Sequence, residues 1–381
     1  MESAGILRYF YLLGFANAMF FSILIFSKPR KHQADKLLAW WLILLSLHLL
    51  LPFLYLADLK TYYKYAGLEI LFYALHPLFL YLYITSIIGQ FPSRKRTTIL
   101  IFAALVVQFS ILLFFLIPSG ERLSIILGTE PVKPFVYIIS IPILIHFVYY
   151  FLVSIKTLRD YKSNVLHVYS YKENVDLLWL RRLVLFFYGL LFMSLPMSIY
   201  FYYNNISLAF GDYYYFAGLS VFIFFVGYWG YHQGDVFSFQ VNNRINNEAV
   251  NQESGKIATY HISDEKIREL KRIMETNKPY LNPSLTIYEL AQLIDIQPHQ
   301  LSKLINHEFK CNFFEFINHY RIDIFKKYLF DSKYKDYTLL AIALECGFNS
   351  KSAFNRIFKE QTGLTPTEFK KKSIMANVLK N

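Results

Sequence analysis

The sequence has only two cysteines among its 381 residues, Cys311 and Cys346, and they form no CxxC pair. No Cys/His cluster has ligand spacing, so a disulfide scaffold and a structural zinc site are both excluded, and no metal is expected. No G-x-S-x-G, Walker A, H-E-x-x-H or kinase pattern occurs, and no pair of carboxylates has catalytic spacing. The sequence therefore gives no case for an enzyme, and no catalytic residue or cofactor is predicted.

Charge is also scarce, at 17% of residues, whereas 55% are hydrophobic and 19% aromatic. Seven apolar stretches of about 20 residues precede residue 232, and each is long enough to cross a bilayer as a helix. They cover residues 6–27, 36–56, 66–88, 97–117, 133–155, 182–203 and 213–231. We interpret residues 1–231 as a seven-span transmembrane domain rather than as helices of a soluble core.

The positions of Lys and Arg between these stretches predict an orientation. Thirteen lie in the connections around residues 28–36, 94–96 and 156–182, against five in the alternate connections and at the N-terminal end. Because cytoplasmic loops of membrane proteins are enriched in Lys and Arg, the N-terminus is expected outside and the region after Tyr231 in the cytosol. The predicted location is the bacterial inner membrane, crossed several times.

Four ionisable residues inside the apolar stretches are candidates for sensing a signal, because such groups are costly in hydrocarbon unless they are paired or hydrated. They are His48, Glu69, His76 and His146. The alternative is structural: the histidines would be neutral, hydrogen-bonded core residues, and Glu69 would reach the membrane interface. The signal itself is not readable from the sequence.

The composition changes at residues 232–262, a polar stretch rich in Asn and Gln that we interpret as a cytosolic linker. The tail that follows repeats one pattern. Thr286 and Glu289 form a T-x-x-E capping box ahead of an apolar stripe, and Pro298 opens a second short helix. The same apolar spacing returns about 52 residues later, and a single long amphipathic helix starting near Phe313 separates the copies. The tail is predicted to be two helix-turn-helix units around a central helix.

Residues 279–372 carry a family resemblance. "LTIYELAQLIDIQPHQLSKLIN" resembles the first helix-turn-helix of the AraC/XylS transcription regulators, "FFEFINHYRI" the start of their linker helix, and "LLAIALECGFNSKSAFNRIFKEQTGLTPTEFKK" their second unit. The whole chain resembles the membrane-bound AraC/XylS-type regulators found in Bacteroidota. The resemblance implies an all-α fold, with a seven-helix transmembrane bundle before an AraC-type double helix-turn-helix DNA-binding domain at residues 263–381.

Two residues depart from the family pattern at places where glycine is usual. Asp295 lies in the first turn and Lys310 at the end of the first recognition helix. Both positions are expected to need a left-handed backbone, which glycine adopts more readily than other residues. The resemblance also implies that Arg321 stabilises the junction between the two units.

In a helix-turn-helix the second helix enters the major groove of DNA, so its polar residues outside the apolar stripe are candidate contacts. A solvated polar surface is the alternative. The candidates for contact with double-stranded promoter DNA are His299, Gln300, Ser302, Lys303 and Asn306 in the first unit and Lys351, Ser352, Asn355 and Arg356 in the second. The resemblance implies base or phosphate contacts for His299, Ser302, Lys303, Ser352, Asn355 and Arg356.

Two functions fit these patterns. The first is a membrane-anchored, sequence-specific transcription regulator whose bundle senses a signal and controls promoter binding. The second is a membrane receptor or transporter whose cytosolic tail is a protein-docking module. Because the end of the last span is rich in glycine and the linker is polar, rigid transmission along one helix is disfavoured. We expect the bundle to form a homodimer or to rearrange on sensing, and so to raise the effective concentration of two tails at paired promoter sites.

Overall fold

The computed structural model of the protein describes residues 2–29, 31–57, 70–114, 117–118, 134–172, 175–203, 209–232 and 264–378. The chain separates into two compact units. The first comprises Met1–Arg159 and Leu177–Glu248, and the second Asp160–Asp176 and Ala249–Asn381. Regular structure in the described ranges is helical, apart from an isolated antiparallel bridge between Tyr169 and Thr286.

The first unit contains the apolar helices. They are α1 (Glu2–Phe26), α2 (Gln33–Ala57), α3 (Ile70–Tyr73), α4 (Leu75–Ile88), α5 (Arg94–Phe114), α6 (Pro134–Val168), α7 (Leu178–Tyr203) and α8 (Ala209–His232). Helix α6 belongs to both units: its residues up to Arg159 lie in the first unit, and those from Asp160 onwards lie in the second.

Four stretches of the described residues are long and apolar enough to cross a membrane: Tyr9–Phe26, Gln33–Leu54, Ile141–Val168 and Tyr214–His232. Large apolar side chains point outward on several helices of the first unit, including Trp40, Phe109 and Ile145, which are 59%, 63% and 63% exposed. An outward-facing apolar surface suits lipid better than water. The four stretches suggest membrane association, and the predicted count of seven spans remains a prediction.

Helices α1, α2 and α8 pack closely because glycines line their contacts. A methyl group at Gly227 would overlap the Phe21 ring, and one at Gly230 would overlap Leu38. Small residues at such contacts let helix backbones approach in a bilayer. Helix α8 runs through both glycines to His232. The 232–262 linker lies outside the described residues beyond His232.

A largely buried ion pair links the connection after α1 to the start of α2, and its lysine also reaches the end of α8. Lys28 Nζ lies 2.7 Å from Asp35 Oδ1 and also donates to the carbonyl oxygen of Gly230 at 3.2 Å. Asp35 accepts a second hydrogen bond from the His32 backbone N–H. Since each charge has more than one polar partner, the pair can lie in an apolar setting without an uncompensated charge.

The second unit contains the tail helices. They are α9 (Asp264–Thr276), α10 (Ile287–Leu293), α11 (Pro298–Glu308), α12 (Phe313–Tyr328), α13 (Leu339–Glu345), α14 (Lys351–Thr362) and α15 (Pro366–Val378), with short 3-10 helices at Pro279–Leu281 and Ser332–Tyr334. Helices α10 and α11 form the first helix-turn-helix, α13 and α14 the second, and α12 the central helix, as the sequence predicts.

Equivalent apolar positions of the two copies are buried alike. Leu290 and Ile342 are 0% and 1% exposed, and Leu301 and Phe354 are 0% and 1% exposed. These side chains join the central helix in one core, to which Phe313, Ile317 and Phe325 contribute. Burial of one stripe from every helix fixes which polar residues remain outside.

Local signals set the helix starts. The Thr286 hydroxyl accepts from the Glu289 backbone N–H, and the Glu289 carboxylate accepts from Thr286 N–H at 2.7 Å, so the predicted capping box is confirmed. Asn312 and Glu315 form a second such box at the start of α12. These bonds satisfy N–H groups that have no partner inside the helix.

The two departures from the family pattern both adopt a left-handed backbone. Asp295 has φ 48° and Lys310 has φ 54°, and the equivalent residues of the second copy are Gly347 with φ 89° and Gly363 with φ 74°. The prediction of a left-handed backbone at Asp295 and Lys310 is therefore confirmed. The second copy has glycine at both positions. The first copy has residues with side chains there, for which a left-handed backbone is strained.

Candidate nucleic-acid interface

The two candidate recognition helices begin at well-defined caps. Pro298 occupies the first turn of α11, where its missing N–H costs nothing. The Ser350 hydroxyl caps α14 by accepting from the Ala353 backbone N–H at 3.1 Å. Both helices then bury one side in the core, with Leu301, Leu304 and Ile305 in α11 and Ala353, Phe354, Ile357 and Phe358 in α14.

The predicted contact residues lie on the other side of these helices. His299, Lys303, Asn306, Lys351, Ser352, Asn355 and Arg356 are exposed, and Gln300 and Ser302 are partly buried. The structure thus brings each set together on the solvent side of one helix.

Some of the predicted contact residues also form hydrogen bonds within their own helix-turn-helix unit. The Gln300 side-chain oxygen accepts from the Gln297 backbone N–H at 3.0 Å, so its carbonyl caps α11 and its amide N–H groups remain for another partner. Asn306 Nδ2 donates to Ser302 Oγ at 3.4 Å. Ser352 shares a hydrogen bond of 3.1 Å with Ser350.

Arg356 is the predicted contact residue with a counter-charge on its own helix. Its Nη1 lies 3.4 Å from Glu360 Oε1, and both side chains are largely exposed. An exposed pair of this kind stabilises a helix little, so Arg356 can exchange this carboxylate for a phosphate or a base at small cost. Lys303 makes no ion pair within the part of the chain that the structure describes.

Arg321 lies inside the second unit and not at its surface, being 1% exposed. Its Nε donates to the Tyr280 carbonyl oxygen at 2.8 Å and its Nη2 to that of Asn282 at 2.8 Å. Its Nη1 donates to the Ser170 carbonyl oxygen at 3.1 Å, and Nη2 also reaches Ser170 Oγ at 3.0 Å. The structural role implied by the resemblance agrees with this burial.

Sequence reasoning missed the participation of Ser170 and Lys172. Both lie in the segment 160–176, between apolar helices, where no local pattern points to the tail. Burial and, next, repulsion from Arg356 lower the pKa of Lys172. A positive charge from this segment therefore lies near the second recognition helix. Its basic character was visible in the sequence but was explained by membrane orientation alone.

The sensing candidates fall into two places. Trp41 Nε1 donates to His76 Nδ1 at 3.2 Å, so neutral His76 carries its proton on Nε2 and donates to His48 Nδ1 at 2.8 Å. His146 lies apart from them, with Nε2 at 2.8 Å from the Ala74 carbonyl oxygen. Glu69 lies outside the described residues. No group of three or more metal-ligating side chains occurs within the described ranges.

Comparison with known proteins covers the tail alone. The family described as "Helix-turn-helix domain" matches residues 290–372. The C-terminal region is a helix-turn-helix domain. The chain is also similar to uncharacterized HTH-type transcriptional regulators of Staphylococcus aureus strains COL and MSSA476, at 30% identity over 117 residues. The match covers 29% of this chain and 15% of each relative, so it reports on one domain. No solved structure matches this chain significantly.

Proposed function

We propose that the protein is a membrane-anchored, sequence-specific DNA-binding transcription regulator of the AraC/XylS type. The observation that carries this proposal is the pair of helix-turn-helix units on one central helix, each with an exposed polar recognition surface. Two equivalent helices can enter successive major grooves on one side of a duplex, about one helical turn apart. The Staphylococcus aureus relatives are named as uncharacterized HTH-type transcriptional regulators, which supports a role of the tail in transcriptional regulation.

The nine predicted contact residues have different proposed roles. Lys303 and Arg356 can donate to guanine or to phosphate, and Asn306 and Asn355 have amides suited to adenine. His299, Gln300, Ser302, Lys351 and Ser352 lie beside them and would complete contacts to base edges or backbone. The lysine and arginine side chains of the tail would also neutralise DNA phosphates, so the affinity of the tail for DNA should fall steeply as the salt concentration rises.

The proposed membrane domain, residues 1–231, crosses the bacterial inner membrane seven times with the N-terminus outside. Residues 232–262 then form the linker and residues 263–381 the cytosolic domain. The count of Lys and Arg in alternate connections supports this orientation. Dimerisation of the membrane domain would bring two tails to paired promoter sites and raise their effective concentration there.

We assign signal sensing to the neighbourhood of His48 and His76. His48 Nδ1 accepts from His76, so its Nε2 carries a proton, and this buried N–H has no hydrogen-bond partner within the described residues. A buried donor of this kind is costly until an acceptor binds it. An acceptor group on a ligand would meet that need, whereas His146 is already paired with a backbone carbonyl.

Chromatin pull-down of the intact protein with sequencing of the recovered DNA tests the function. The proposal expects a small set of promoter regions that share two half-sites. If recovery is uniform across the genome, or no DNA is recovered while a protein partner co-purifies, the tail is a docking module of a receptor or transporter instead.

A further inference from the structure

The segment 160–176 packs on the helix-turn-helix domain, although about 90 residues separate it in sequence from the start of that domain. Ser170 N–H donates to the Leu285 carbonyl oxygen at 3.2 Å, and Tyr169 pairs with Thr286 as an antiparallel bridge. Leu166 and Val168 contact the core of the domain. The segment also closes on itself, since Tyr161 Oη donates to the Val175 carbonyl oxygen at 2.9 Å.

Ser170 is the centre of this contact and is fully buried. Its carbonyl oxygen accepts from Arg321 Nη1 and from Asn318 Nδ2, and its hydroxyl lies 3.0 Å from Arg321 Nη2. Ser170 thus accepts from the Arg321 guanidinium at two atoms, while Tyr280 and Asn282 each accept at one. Loss of hydrogen-bond acceptors from a buried guanidinium strongly destabilises the folded state.

Arg321 in turn touches both helix-turn-helix units. It holds the carbonyl groups of Tyr280 and Asn282, which lead into the first unit. Its guanidinium carbon lies 6.0 Å from the centre of the Phe348 ring, in the turn of the second unit. A methyl group on Gly347, in the same turn, would come within 3.1 Å of Arg321 Nε. A change in the position of Arg321 would therefore shift both the segment that leads into the first unit and the turn of the second unit.

We propose that docking of the segment 160–176 sets the spacing of the two recognition helices through Ser170 and Arg321, and that this segment couples the membrane helices to DNA binding. The inference rests on the proposed function. Helix α6 is unbroken from Pro134 to Val168, so only Tyr169 separates it from Ser170. A shift of α6 along or about its axis therefore acts directly on the Arg321 junction.

Lys172 also gives the segment a positive charge close to the second recognition helix. Lys172 Nζ lies 4.3 Å from the centre of the Phe314 ring, at the start of the central helix. Its neighbourhood includes Arg356 and Glu360 of the second recognition helix. Docking thus adds a positive charge beside the side chain proposed to contact DNA, which favours an approaching phosphate.

Disulfide trapping in the full-length protein, reconstituted in lipid nanodiscs, tests the docking. Residues 169 and 286 face each other across the bridge at a distance suited to a disulfide. Tyr169→Cys with Thr286→Cys, in a Cys311→Ser background, should crosslink under mild oxidation. Cys346 can stay, because burial raises the pKa of its thiol to about 12. The single variant Tyr169→Cys is the control, and a double variant that crosslinks no better than it does overturns the docking.

Binding to DNA with one or with two half-sites tests the coupling. Ser170→Pro removes the N–H bonded to Leu285 and the hydroxyl at Arg321. Its affinity for the two-site fragment should fall about tenfold, the effect of one lost hydrogen bond to a charged group, and its one-site affinity should change little. Ser163→Ala, in an exposed part of the same segment, is the control and should bind both fragments like wild type.

The oxidised Tyr169→Cys/Thr286→Cys protein provides a second measurement that does not depend on how well Ser170→Pro folds. With the segment locked in place, its ratio of two-site to one-site affinity should equal the wild-type ratio. A loss shared equally by both fragments in Ser170→Pro would mean that the segment only stabilises the fold, and would overturn the coupling. If the wild type shows no preference for either fragment over scrambled DNA, the proposed function has failed, and the crosslink still decides the docking.

Discussion

At the scale of single residues, Lys303 and Arg356 are exposed, positively charged residues of the two recognition surfaces, one in each unit. We predict that Lys303→Ala relaxes base preference in one half-site and Arg356→Ala in the other, each by about 1 to 3 kcal/mol of discrimination. Binding of the full-length protein to a library of half-site variants measures this. Lys327→Ala and Arg272→Ala, exposed residues outside both recognition helices, are the matched controls. A uniform loss over all sequences would assign the two residues to phosphate contact only.

Lys310 is a second residue with a measurable consequence. Its φ of 54° costs a lysine free energy that glycine does not pay, so Lys310→Gly should raise the free energy of unfolding of the domain by about 1 kcal/mol. Lys359→Gly, at an exposed position inside right-handed helix α14, is the control and should be destabilising by a similar amount. Chemical denaturation of the full-length protein, followed by a probe in the tail, gives both values. If Lys310→Gly lowers the stability, the left-handed conformation at that residue is wrong.

The sequence was sufficient for the residues whose role is local. The left-handed backbone at Asp295 and Lys310 followed from the family pattern, and the Thr286–Glu289 capping box from a four-residue motif. The partners of Arg321 were not predictable in the same way. Ser170 lies about 150 residues away in a connection with no matching pattern, and one of its two contacts with Arg321 is through a backbone carbonyl that any residue could supply.

At the scale of helices, the exposed pair of Arg356 and Glu360 on α14 makes an electrostatic prediction. Glu360→Gln removes a negative charge close to the proposed DNA contact and breaks the ion pair of Arg356. The affinity for every DNA sequence should therefore rise by about two- to fivefold. Base preference should stay unchanged. Glu345→Gln, an exposed carboxylate at the end of α13, is the control. Salt titrations of binding separate the two variants, and weaker binding by Glu360→Gln would show that the pair itself positions Arg356 for contact.

Helix periodicity predicted the tail better than the membrane region. Helices α10 to α14 each bury one apolar stripe and begin at a cap, so they were expected in their observed order. The apolar helices of the first unit are hydrophobic all round, and their sequence does not say which side faces a neighbour. The close approach of α8 at Gly227 and Gly230 depends on which residues lie opposite, Phe21 and Leu38, and so could not be read from α8 alone.

At the scale of the whole molecule, the proposed topology makes a prediction for reporter fusions. Fusions after Arg96 and after Tyr231 should be active only with a cytoplasmic reporter, and a fusion after Lys60 only with a periplasmic one, because the Lys- and Arg-rich connections are retained in the cytosol. Expression of each fusion is checked by immunoblot as the control. A periplasm-active fusion at residue 260 would place the helix-turn-helix domain outside the cytosol and remove the basis for its proposed function.

The central claim is that the two recognition surfaces of the tail read two half-sites in DNA. Footprinting of the full-length protein in lipid nanodiscs, on a fragment recovered by chromatin pull-down, tests it most directly. The account predicts two protected half-sites on one side of the duplex, about one helical turn apart, with affinity that falls steeply as salt rises. Protection of a scrambled fragment at the same protein concentration, with no defined boundaries, would contradict it.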